Sequence, residues 1–179
     1  MTTFAVFLRG VNVGGVKVLM KDLASLLADG GFTEVRTLLA SGNVVLESEL
    51  SEAQAVQRRC NELLEEHYGR SIPTLVYTRE EILQLAQPFV LELPEPAAEH
   101  HGYLTLCESA ADAAELCELA RGLDPQPAVD VLGRALCWIV RRGQSTTDPL
   151  AKLTTAQARK RVITTRNHNT LVKLAAIIR

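Results

Sequence analysis

The chain lacks the marks of a secreted, membrane-spanning or metal-clipped protein. It has only four cysteines, Cys60, Cys107, Cys117 and Cys137, and no two form a C-x-x-C pair. That spacing argues against a disulfide scaffold and against a thiolate metal site, and it fits reduced thiols in a cytoplasmic protein. No apolar run approaches the ~20 residues that a membrane-crossing helix needs, so no membrane partner is expected. The start, MTTFAVFLRG, has no basic stretch ahead of its apolar residues and does not read as a signal peptide. Aromatic residues are scarce, at 4% of the chain. Charge of one sign is not in excess either, since the net charge is -2.

That small net charge hides a strong asymmetry. Residues 141–179 carry nine basic side chains and one acidic one, Asp148, while the rest of the chain holds ten basic and twenty acidic residues. A basic end can mark a polyanion-binding face, or it can be a solvated surface that docks on an acidic body. Hydrophobic residues make up 47% of the chain, enough for a real core.

The order of elements repeats. Phe4–Leu8 reads as a buried strand, followed by the glycine-rich loop GVNVGG at Gly10–Gly15 and a helix from about Met20 to Asp29, ended by Gly30 and Gly31. Strands at Val35–Ala40 and Val44–Glu47 turn at Ser41-Gly42-Asn43. Ser51 with Gln54 predicts a capping box for a second helix closed by Gly69, a strand follows at Pro73–Tyr77, and Thr78 with Glu81 predicts another capping box for a short helix stopped at Pro88. Pro94–Glu99 reads as a linker. The second half then runs through a strand at Tyr103–Cys107, a helix capped by Ser109, a hairpin turning on Gly133-Arg134, a helix opening at Asp148-Pro149, and a short closing strand at Arg161–Thr164. Both halves read β-α-β-β-α-β, which predicts an α+β fold of two tandem ferredoxin-like (βαββαβ) subdomains, residues 1–93 and 100–179, with an added C-terminal helix. In such a unit the loop after strand one and the turn after strand two share one sheet edge, so Arg9, Asn12, Ser41 and Asn43 should lie near each other.

The densest polar stretch is Thr164-Thr165-Arg166-Asn167-His168-Asn169-Thr170, set before the apolar helical pattern of Leu171, Leu174, Ala175 and Ile178. A helix start exposes unpaired N–H groups and positive dipole, which suits an anion. One asparagine is expected to cap the helix, and the others either hold the subdomains together or contact a ligand.

These motifs make the sequence similar to a known family. LRGVNVGG at Leu8–Gly15, Met20, GF at Gly31–Phe32, VRTLLASGNVV at Val35–Val45 and TTRNHNTLVKLA at Thr164–Ala175 together resemble the domain of unknown function 1697 family. The resemblance implies two ferredoxin-like subdomains and no particular activity. The chain departs from the family pattern at His168, where tryptophan is usual, and at Ala151, where serine is usual; its Gly143–Leu153 stretch also reads longer.

The leading functional expectation is a small anionic or phosphorylated ligand held in a cleft between the subdomains, with Arg9, Asn12, Ser41, Asn43, Arg166, Asn167, Asn169 and Lys173 lining it. GVNVGG fits neither a Walker loop nor G-x-G-x-x-G, so no cofactor is assigned, and the loop reads equally as an anion wrap or as a tight crossover. No zinc spacing accompanies His100-His101, and no metal is expected. No catalytic residue is assigned, because Ser41 has no visible base and His168 no visible carboxylate partner. The alternative is nonspecific nucleic-acid binding through Arg159, Lys160 and Arg161. Against it, an RNA-reading sheet needs exposed aromatics, and Tyr103 and Trp138 are the only plausible ones in the second half, with Trp138 better placed in the core. A third reading is an interaction module whose polar motifs serve folding alone.

Overall fold

The computed structural model describes residues 1–12 and 16–178. Val13, Gly14 and Gly15 of the glycine-rich loop lie outside the described residues, so the anion-wrap reading of that stretch has no geometry to draw on.

The first half is built from β1 (Thr2–Leu8), α1 (Met20–Asp29), β2 (Thr33–Leu38), β3 (Asn43–Ser48), α2 (Ala53–Tyr68), β4 (Thr74–Thr78) and α3 (Arg79–Leu85). Its sheet has the order β2-β3-β1-β4, with β3 antiparallel to both β1 and β2. The second half repeats this with β5 (His100–Cys107), α4 (Ala110–Arg121), β6 (Val129–Leu132), β7 (Ala135–Arg141), α5 (Pro149–Gln157), β8 (Ile163–Asn167) and α6 (His168–Ile177), in the sheet order β6-β7-β5-β8. Each half is a ferredoxin-like split β-α-β sheet, and α6 is the added helix. The chain clusters into two compact units, Met1–Leu83 with Lys173–Arg179, and Gln84–Val172. Relative to the split expected from the linker, residues 84–93 fall in the second unit and the tail in the first.

Local chemistry accounts for most element ends. Thr78 and Glu81 form the reciprocal capping box: the Thr78 N–H donates to Glu81 Oε2 at 2.8 Å, and the Glu81 N–H to Thr78 Oγ1 at 3.2 Å. Ser109 Oγ accepts from the Asp112 N–H, and Asp148 Oδ1 from the Leu150 N–H ahead of Pro149. Two expectations need correction. Ser51 does not cap α2; the helix starts after Glu52, with no side-chain cap. The closing strand is not Arg161–Thr164 but Ile163–Asn167, so half of the polar motif is strand. Its backbone pairs with β5, Leu104 facing Arg166 and Thr105 facing Thr165, and that ladder overrides the polar side chains.

In the first unit Leu23 and Leu27 of α1 and Val56, Cys60 and Leu64 of α2 cover Phe4, Val6, Val44 and Leu46. In the second, Ala113, Leu116 and Ala120 of α4 and Leu150 of α5 cover Cys107, Leu136, Trp138 and Val140. Trp138 is core, as its apolar run predicted. All four cysteines are free and buried. Burial pushes the Cys60, Cys107 and Cys137 thiols up from 9.0 to about 12. Two outcomes follow. Iodoacetamide at pH 8 should label none of the four thiols in the folded chain and all four in denaturant, as read by intact mass. The raised folded values mean that the unfolded state releases these protons first, so the denaturation midpoint should hold below about pH 9 and fall between pH 9 and 10.

Candidate anion-binding site

Sheet register assembles a site at one end of the second unit. β5 is antiparallel to both β7 and β8, so its first residues lie beside the ends of those strands. His100 faces Arg141, and Tyr103 faces Asn167. Arg142 follows β7 directly, and His168 opens α6 directly after β8. The same corner therefore receives His100, His101, Arg142 and the Asn167-His168-Asn169 run.

The segment ahead of β5 is strapped over this corner. The Phe89 ring lies on Gly102, where a side chain would not fit: a Cβ there would stand 2.7–2.8 Å from three ring carbons. The ring also meets His168, with centroids 5.2 Å apart. His168 Nε2 donates to the Gln87 carbonyl at 2.9 Å, and His100 Nδ1 donates to the Pro96 carbonyl at 3.2 Å. These contacts border a half-open cavity of about 230 Å³.

Phe89, Leu93 and Ala97 give the cavity an apolar wall. Its polar lining is Arg142, Asn167, Asn169 and the three histidines, and no carboxylate lines it. Asn167 Oδ1 accepts the Asn169 N–H at 2.9 Å and so caps α6, as expected of one asparagine in the motif. Arg142 makes no ion pair among the described residues. The nearby Glu99 carboxylate is held by Arg141, Nη2 to Oε2 at 2.7 Å. The local field at the cavity is therefore positive, reinforced by the N-terminal end of α6. Among the described residues no group of three or more His, Cys, Asp or Glu side chains is placed to hold a metal ion.

The other predicted residues fall elsewhere. Arg166 is buried within β8. Its Nη1 donates to Thr164 Oγ1 at 2.6 Å and to the Thr165 carbonyl at 2.9 Å, and desolvation brings its guanidinium down to about 10. In the first unit the β1–α1 loop and the β2–β3 turn do meet. The Leu8 N–H donates to the Gly42 carbonyl, and Asn12 Nδ2 donates to the Ala40 carbonyl at 2.7 Å and the Val18 carbonyl at 2.9 Å. Asn12 Oδ1 accepts the Val18 N–H, so this carboxamide, on a residue with φ 58°, clamps the crossover. Asn43 is fully buried and donates to the Leu38 carbonyl and to Ser41 Oγ, closing the turn. Arg9 follows Leu8, its N–H donating to the Pro73 carbonyl. Lys173 is exposed on α6. Of the basic trio, Arg161 is engaged by Glu115, with N–O distances of 3.0 and 2.9 Å, and by Asp112 at 3.4 Å. The hydrogen bonds from Arg161, and then its charge, hold the Glu115 carboxyl below its usual range.

A family model described as protein of unknown function (DUF1697) matches residues 1–136. The chain belongs to this family. A solved structure, the conserved bacterial protein SP0830 from Streptococcus pneumoniae, superposes with a TM-score of 0.79 at 22% identity, over 99% of this chain and 98% of that one, which shows the shared fold. No curated protein matches the sequence. No helix among the described residues is long and apolar enough to cross a membrane. The matched DUF1697 span includes Phe89, His100 and His101 and ends before Arg142 and the Asn167–Asn169 run. Sequence reasoning overlooked Arg142 and Phe89. The register of the second sheet, with β5 flanked by two antiparallel neighbours, would have brought Arg142 to His100. Nothing local signals that Phe89 seats on Gly102.

Proposed function

We propose that this DUF1697 protein is a cytoplasmic binder of a small anionic ligand and that the cavity between the 87–99 strap, β5 and the start of α6 is its site. One observation carries the reading: the cavity is lined by Arg142, which makes no ion pair among the described residues, with three histidines and two asparagines, and no carboxylate lines it. An anion entering it gains charge-assisted hydrogen bonds without displacing an internal ion pair. Asn167 and Asn169 are the two residues of the expected ligand set that line this cavity. Nucleic-acid binding has less support, since of its three basic residues Arg161 is already engaged by Glu115 and Asp112.

Linkage tests the reading. A ligand at one hundred times its Kd stabilises the fold by about 2.7 kcal/mol, a rise of roughly 5–10 °C in Tm for a chain of this length. Sodium phosphate should raise Tm over sodium chloride of equal ionic strength. Arg142→Gln should remove most of that rise and leave Tm in chloride unchanged, because the side chain is exposed and makes no ion pair among the described residues. Equal responses from the two proteins would refute the assignment.

A further inference from the structure

We infer that the ligand is a single-ring organic anion, an aromatic or similar flat body carrying one carboxylate or one phosphate group; this rests on the anion-site reading above. The cavity has two unlike sides. Arg142, His100 and the Asn167–Asn169 turn form the polar side, with the arginine as its cation, while Phe89 and Leu93 form the apolar one. The half-buried Phe89 ring has a neighbour on two sides: it sits on Gly102 and tilts 49° to the His168 ring. A held aromatic ring beside a cationic rim is an arrangement for stacking a flat body while its anionic group meets the arginine. A bare inorganic anion would leave the apolar side in contact with water and gain nothing from it.

Size sets the upper limit. The cavity of about 230 Å³ lies below the ~300–1,000 Å³ of pockets that enclose drug-sized ligands. That volume admits a benzoate or a phenyl phosphate and leaves most of a nucleotide outside. A ligand of this class would bury its ring against Phe89 and keep its anionic group at the open, polar rim.

The test is a calorimetric titration of the full chain, at constant ionic strength, with inorganic phosphate, phenyl phosphate, benzoate and adenosine monophosphate. Phenyl phosphate should bind at least tenfold tighter than inorganic phosphate, with benzoate also above it and the nucleotide no better than phosphate. Phe89→Ala should collapse the ratio of phenyl phosphate to phosphate toward one while phosphate affinity stays. Equal affinity of the wild-type protein for phosphate and phenyl phosphate would overturn the single-ring inference and leave the anion site standing. Failure of every anion to bind would overturn the anion site itself. The wild-type ratio decides the question even where Phe89→Ala loosens the strap.

Discussion

Gly102→Ala should cost the fold about 2 kcal/mol, and Gly102→Val at least 3, although Gly102 lies in a strand and has no positive φ. Backbone strain is not the reason; alanine and valine suit extended backbone better than glycine does. The cost comes from the Phe89 ring, three of whose carbons would stand 2.7–2.8 Å from the new Cβ. Overpacking of this kind forces side chains off their rotamers, at ~1–3 kcal/mol. A ring that yields by leaving β5 also loses its contact with His168 and opens the apolar side of the cavity. Urea denaturation of a double-mutant cycle isolates the effect. Gly102→Ala in a Phe89→Ala background should be neutral or slightly stabilising, because the clashing ring is gone. If Gly102→Ala costs the same in both backgrounds, the ring is not what demands glycine there, and the strap is not anchored as described.

This contact also shows where sequence reading reached its limit. Signals confined to a few neighbouring residues were legible: the Thr78/Glu81 capping box, Asp148 before Pro149, the hairpin at Gly133, whose φ is 56°, and the Gly69 end of α2, whose φ is 65°. Each depends on one turn of chain. Ser51 failed because its pattern is equally satisfied by an extended residue before the helix, and α2 starts without a side-chain cap. The Thr164–Asn167 stretch has neither strand nor helix periodicity. It becomes strand because β5 offers an unpaired edge, and backbone pairing there outweighs the poor propensity of Arg166 and Asn167. The polar motif divides into two environments. Arg166 is buried in the sheet, while Asn167, His168 and Asn169 line a cavity whose other walls come from residues 65 or more positions earlier and from Arg142. At Asn12 and Asn43, a carboxamide that clamps a loop and one that holds a ligand are the same residue in sequence. Only the partners, Val18, Ala40 and Leu38, show how their amide groups are used.

The largest single loss is expected at Trp138. This sole tryptophan of the chain is 1% exposed, stacks on Tyr103 with centroids 5.3 Å apart, and donates its indole N–H to Thr105 Oγ1 at 3.0 Å. Thr105 Oγ1 in turn meets Thr165 Oγ1 at 2.9 Å. The network therefore joins β7, β5 and β8 through three side chains, and β8 is the strand that delivers Asn167 to the cavity. Trp138→Ala should cost about 4 kcal/mol through lost burial and the void left behind. Trp138→Phe keeps most of the apolar contact and should cost about half as much. Thr105→Val separates the polar term from packing: it preserves shape but leaves the indole N–H buried without its acceptor, at ~1–3 kcal/mol. The tryptophan itself reports the result, since its fluorescence in Thr105→Val follows unfolding directly. A Thr105→Val midpoint indistinguishable from wild type would mean that the hydroxyl chain contributes nothing, and that packing alone holds the three strands in register.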